Sequence, residues 1–106
     1  MTMLNSIRRL LGLGPQMDLG ELIRNGAMVI DVRSPAEYAA GHGKGSINIP
    51  LDSLKERIPA LKKDVAVITC CASGLRSNLA KSILKSNGFN EVYNGGSWHE
   101  LKEYEL

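Results

Sequence analysis

Apolar residues gather along this chain in short runs, and the runs alternate with segments of helical spacing. Ala27-Met28-Val29-Ile30-Asp31-Val32 is almost continuously apolar, and so is Val65-Ala66-Val67-Ile68-Thr69. Strands without polar alternation belong inside a parallel sheet that has helices on both faces. Ile47-Asn48-Ile49 and Glu91-Val92-Tyr93 are shorter β-rich runs. Between them lie helix signals. Asp18-x-x-Glu21 predicts a short helix ending before Gly26, and Ser34-Pro35-Ala36-Glu37 sets a cap, a first-turn proline and a reciprocal glutamate in order. Asp52 to Arg57 reads as another short helix stopped at Pro59. The strongest helix follows Gly74, with Leu75, Leu79, Ile83 and Leu84 on one stripe and Asn87-Gly88 as its stop. Asn94-Gly95-Gly96 reads as a turn, and Ser97 as the cap of a last helix with Trp98 in the core and His99 in solvent. Strands alternating with helices predict an α/β fold with an open, mostly parallel sheet.

Length changes the picture only by limiting it. A chain of 106 residues supports one core and no second domain. The alternating pattern occupies residues 17–106, and residues 1–16 stand outside it. There Leu4, Ile7, Leu10 and Leu11 follow helical spacing and predict a short amphipathic extension, since apolar positions broken by Gly12 are too few for a secretory signal. No apolar run approaches the ~20 residues of a membrane span. The 13 basic and 11 acidic side chains leave a formal charge of +2 and are interspersed, with no basic run longer than Arg8-Arg9 or Lys62-Lys63. That distribution excludes a concentrated nucleic-acid stripe.

The cysteines decide more by position than by number. Cys70 and Cys71 are adjacent, so they cannot staple distant parts of the chain. They lack the C-x2-C spacing of a zinc knuckle, and His42 and His99 are far away in sequence, so no metal site is expected. A chain without stapling cysteines, signal or span reads as soluble and cytoplasmic.

The candidate chemistry lies where the second buried strand meets the strongest helix, along Cys70-Cys71-Ala72-Ser73-Gly74-Leu75-Arg76-Ser77. Open parallel sheets bind ligands beyond the carboxyl ends of their strands, where loops lead into helices. A helix N-terminus offers unpaired N–H groups and partial positive charge, which hold anions and lower a thiol pKa. Gly74 permits a positive φ, so that successive N–H groups curl into an anion nest. Arg76 adds a planar cation suited to sulfonate, sulfate or phosphate oxygens. A thiolate in such a cradle needs no separate general base. The implied chemistry is attack by a cysteine on an electrophilic atom that carries anionic oxygens.

These residues resemble a family. Cys71-x-x-Gly74-x-Arg76-Ser77 is similar to the active-site loop of rhodanese domains. Val29-Ile30-Asp31-Val32-Arg33 with Glu37-Tyr38 looks like the family's first motif, Gly41-His42-Gly43-Lys44-Gly45-Ser46-Ile47-Asn48-Ile49-Pro50-Leu51 its second, and Asn94-Gly95-Gly96 with Trp98 its closing signature. The resemblance implies a three-layer α/β sandwich around a five-stranded parallel sheet, and sulfur transfer through a Cys71 persulfide with no cofactor. The donor is thiosulfate or a persulfide on another protein, and the acceptor is a thiol, or cyanide in assays. Backbone N–H groups from Ala72, Ser73, Gly74, Leu75 and Arg76 would bind the donor, and Arg76 would steer its oxyanions. Asp31, Arg33, His42 and Ser77 would support the loops.

Two other readings stand beside this one. Counted from Cys70 the loop reads C-x5-R, the spacing of cysteine phosphatases and arsenate-reductase-like enzymes. Neighbouring strand residues point to opposite sides, so only one cysteine faces the cradle. Strand parity does not choose, because Val65 to Ile68 are apolar on both faces. Gly74 favours Cys71, leaving Cys70 as a packing residue, and the shorter loop suits a single sulfur atom better than a tetrahedral phosphate. The second alternative is a domain that carries persulfide, or docks on a partner, without efficient turnover. It draws on the absence of any second basic side chain in the loop. Asp31, Arg33 and Glu37 read as a structural charge cluster, and Gly43, where the family has isoleucine, predicts a looser loop beside His42.

Overall fold

A computed structural model of the chain describes residues 18–104. The extension expected over residues 1–16 lies outside them. In chain order the elements are α1 (Leu19–Arg24), β1 (Met28–Asp31), α2 (Pro35–Ala40), β2 (Ile47–Asn48), α3 (Leu54–Arg57), β3 (Val67–Cys71), α4 (Leu75–Ser86), β4 (Val92–Ser97) and α5 (Trp98–Leu101). Turns of 3-10 helix occupy Leu51–Ser53, Ile58–Ala60 and Lys102–Tyr104. Pro59 thus sits inside a continuing 3-10 turn rather than ending the chain's helical course.

The strands form one parallel sheet in the order β2-β1-β3-β4. Every residue of β3 is buried, as its unbroken apolar run predicts for a central strand. One face packs Ile30, Val32, Val67 and Cys71 against Leu54 and Ile58 of the α3 region and Ala80 and Leu84 of α4. The other packs Ile68 and Cys70 against Leu101, with Leu19, Leu22, Ile23, Trp98 and Tyr104 around them. These are the three expected layers. The sheet has four strands among the described residues, not five. Only four segments of the described chain carry a β-rich apolar pattern, and the connections between them are rich in glycine, proline and charge.

Three local expectations change. Asn94-Gly95-Gly96 does not turn the chain but continues β4, with a register shift opposite Thr69 and Cys71. A Cβ on Gly95 would lie 2.8 Å from Ile68 Cγ2, 2.9 Å from Leu101 Cδ1 and 3.0 Å from the Thr69 carbonyl oxygen. Glycine is there for close approach of backbone and layer. Of the stripe expected on α4, Leu84 is buried and Ile83 packs against the core, but Leu75 and Leu79 do not. Ser77, Ala80 and Leu84 face the sheet, while Leu75 is 74% and Leu79 53% exposed. The start of α4 lies close enough for Thr69 Oγ1 to donate to the Ser77 carbonyl at 2.8 Å, which leaves room only for small side chains. Trp98, expected in the core, is half-buried over a guanidinium.

Candidate active site

Alternation along β3 sends the two neighbouring cysteines to different layers, Cys71 toward α4 and Cys70 toward α1 and α5. Beyond Cys71 the chain leaves the strand, and Gly74, at φ 104°, lets it fold back over the sulfur before α4 begins. The Gly74 N–H donates to Cys71 Sγ at 3.0 Å and the Ser77 N–H at 3.4 Å. Ser77 Oγ lies 3.5 Å from the same sulfur. Burial alone would push the Cys71 thiol up. The Ser77 hydroxyl beside it, then hydrogen bonds from the Ser77, Gly74 and Ser73 N–H groups, outweigh that cost and hold the thiol below its ordinary range.

The loop is braced from the neighbouring strand. The Ser77 hydroxyl donates to Asn94 Oδ1 at 2.6 Å, the Gly96 N–H donates to the same oxygen at 2.9 Å, and Asn94 Nδ2 donates to the Gly74 carbonyl at 3.1 Å. From sequence alone Asn94 reads as part of a turn, which hides this role. The signal was its place just before Gly95-Gly96, on the strand adjacent to Cys71.

Arg76 reaches beyond the loop. Its Nη1 and Nη2 donate to Glu37 Oε1 and Oε2 at 2.7 and 3.1 Å, while 37% of its side chain stays exposed. That fork, together with the Ser34 N–H, holds the Glu37 carboxyl down to about 2. Beside Arg76, at the carboxyl edge of the sheet, a cleft of about 570 Å³ is lined by Val32, Ser34, Pro35, Pro50, Leu51, Asp52 and Ser53.

The sequence model of the rhodanese-like domain family matches residues 16–103. The chain belongs to that family. It is 43% identical over 68 residues to protein YqhL of Bacillus subtilis, covering 64% of this chain and 54% of YqhL. It is 38% identical over 81 residues to the thiosulfate sulfurtransferase GlpE of Ectopseudomonas mendocina, covering 76% and 74% of the two chains. Among solved structures it is similar to the human single-domain sulfurtransferase TSTD1, with TM-score 0.72 and 30% identity over 83% of this chain and 92% of that one. The chain thus spans about half of the length of YqhL and most of the length of the other two.

In this rhodanese domain the remaining predicted residues lie around the loops rather than at the sulfur. Asp31, with no exposed surface, receives Arg33 Nε and Nη2 and the Arg33 backbone N–H on its two oxygens at 2.8–3.1 Å. Arg33 also donates to the carbonyls of Glu37 and Gly41 at 3.3 and 2.7 Å, and its guanidinium lies 4.6 Å over the Trp98 ring. His42 is exposed, stacks on Tyr38 at 3.8 Å, and donates from Nδ1 to the Tyr38 carbonyl at 2.8 Å. Glu37 completes a capping box with Ser34. From sequence alone Glu37 reads as a member of the charge cluster, and its pairing with Arg76 is hidden by a separation of 39 residues.

The Cys70-x5-Arg76 frame does not assemble. The Cys70 thiol packs with Ile68 and Leu101 on the far side of the sheet, and burial, followed by the Asp31 carboxylate, pushes it up to about 12. Among the described residues no group of His, Cys, Asp and Glu is arranged to hold a metal, and no helix is long and apolar enough to cross a membrane.

Proposed function

We propose that this domain is a sulfurtransferase whose Cys71 accepts a sulfane sulfur and passes it on as a persulfide. The observation that carries this reading is the set of N–H groups of Gly74 and Ser77 aimed at Cys71 Sγ at 3.0 and 3.4 Å, at the carboxyl end of the central strand. Donors so placed stabilise a thiolate, and stabilise the negative charge of a persulfide one bond further out. With thiosulfate, the Cys71 thiolate attacks the outer sulfur, a new S–S bond forms, and the old one breaks with its electron pair leaving on sulfite. A thiolate acceptor, or cyanide, then attacks the outer sulfur of the persulfide and Cys71 leaves as thiolate. Such covalent catalysis runs in two half-reactions. Cys71 has no exposed surface, and the loop residues that follow it, Ala72 and Ser73, are exposed. The similarity to GlpE, a thiosulfate sulfurtransferase, supports the same reaction class.

Mass spectrometry of the intact chain tests this. Incubation with thiosulfate or an organic persulfide adds one sulfur atom, about 32 mass units, to wild type and to Cys70→Ala but not to Cys71→Ser. An adduct that survives Cys71→Ser and disappears in Cys70→Ala would overturn the assignment.

A further inference from the structure

We propose that Glu37 sets the donor class of this site, masking Arg76 against oxyanions so that the domain takes its sulfur from an organic persulfide in preference to thiosulfate; this rests on the sulfurtransferase reading of Cys71. Arg76 is the sole cation between Cys71 and Ser77 and, among the described residues, the sole cation lining the adjoining cleft. Both of its terminal nitrogens donate to Glu37, at 2.7 and 3.1 Å, so an oxyanion has to compete with that carboxylate for them. Glu37 is itself tied down, since Oε1 receives the Ser34 N–H at 3.0 Å and the Glu37 N–H donates to Ser34 Oγ at 3.2 Å. Swinging the carboxylate aside for a dianion therefore means breaking both the fork and the cap of α2.

The cleft points the same way. Val32, Pro35, Pro50 and Leu51 give it apolar walls, and among the described residues its ionisable groups are Arg76, paired with Glu37, and the exposed Asp52. A dianion entering there meets net negative charge. An organic persulfide such as cysteine persulfide brings no sulfonate, and the carboxylate and ammonium of its stem cancel. In that reaction the Cys71 thiolate attacks the outer sulfur of R–S–SH, the Cys71 S–S bond forms, and the S–S bond of the donor breaks. The electron pair departs on R–S⁻, which takes a proton from water, and the outer sulfur keeps its hydrogen.

Steady-state kinetics on the full chain with cysteine persulfide and with thiosulfate decide the matter. In wild type, kcat/KM for cysteine persulfide exceeds that for thiosulfate by about tenfold or more, because thiosulfate meets a masked cation. Glu37→Gln keeps a cap acceptor at the same position and removes the charge. It raises the ratio of thiosulfate to persulfide kcat/KM by about fivefold, the scale of a partly exposed charge contact. A wild type that prefers thiosulfate, or a folded Glu37→Gln whose ratio stays put or falls, overturns the donor assignment. Should the variant fail to fold, the wild-type preference alone decides. Absence of a Cys71 sulfur adduct with either donor overturns the sulfurtransferase reading itself.

Discussion

Cys70 projects from β3 into the layer of α1 and α5, and Cys71, one residue later, projects into the layer of α4. Burial does not separate them, since they are 1% and 0% exposed. What separates them is what each sulfur meets. Cys70 meets Ile68, Leu101 and, across the strand, the buried Asp31 carboxylate, and its thiol is driven up to about 12. Cys71 meets the opening turn of α4, where N–H groups have no helical partners, and its thiol falls below the ordinary range. An unexposed thiol is inert or reactive according to the donors aimed at it.

The widest test of that contrast is chemical. At pH 7.5, iodoacetamide labelling of the folded chain, read by peptide mapping, modifies Cys71 faster than Cys70 by at least about 1,000-fold, the ratio of thiolate populations across three pH units. Unfolding in denaturant brings the two rates together. Comparable labelling in the folded chain would break the comparison.

The two sites also bend stability in opposite directions with pH. The folded chain keeps the Cys70 proton up to about 12, whereas an unfolded thiol releases it near 8.5. Between those values the folded state binds the extra proton, so stability falls as pH rises, by about 1.4 kcal/mol per unit from this group. Cys71 has the opposite sign: its folded thiol loses the proton first, so its contribution is complete above the unfolded value and is lost as pH falls through the folded one. Lysines and tyrosines titrate in the alkaline window too, so the measurement is the difference between wild type and Cys70→Ala in urea melts from pH 8.5 to 11. Equal slopes in the two proteins would remove Cys70 from the account.

Much of this division is legible in the residues. Two apolar strands, a reciprocal cap at Ser34 and Glu37, and a glycine three residues after Cys71 suffice for the parallel sheet, the position of α2 and the fold-back of the loop. Period two also says that the cysteines part. What it does not say is which layer each enters, because β3 is buried on both faces and its pattern carries no polar marker. Longer-range pairing is equally hidden. Glu37 reads as a cap, and Asn94 and Gly95 as a turn, since their reasons lie in contacts with Arg76, Ser77 and the Ile68 side chain from distant parts of the chain. Leu75 and Leu79 mislead for a related reason: spacing identifies an apolar stripe, but the close approach of α4 at Thr69 and Ser77 admits serine and alanine instead.

The finest test concerns Ser77, the side chain of α4 that lies within hydrogen-bond distance of the Cys71 sulfur. Ser77 has a single hydroxyl proton, and in the structure it is donated to Asn94 Oδ1 at 2.6 Å while the oxygen stands 3.5 Å from Sγ. When Cys71 ionises, that proton can turn to the sulfur, because Asn94 Oδ1 retains the Gly96 N–H at 2.9 Å and is not left bare. Ser77→Ala deletes the hydroxyl and keeps the Ser77 N–H on the sulfur. The variant therefore folds, and its alkylation profile for Cys71 moves upward by about one pH unit, the worth of one hydrogen bond to a charged sulfur, with no change at Cys70. A Cys71 profile unmoved by the substitution would mean that backbone N–H groups alone lower the thiol, and the contrast between the cysteines would then rest on Gly74 and the start of α4.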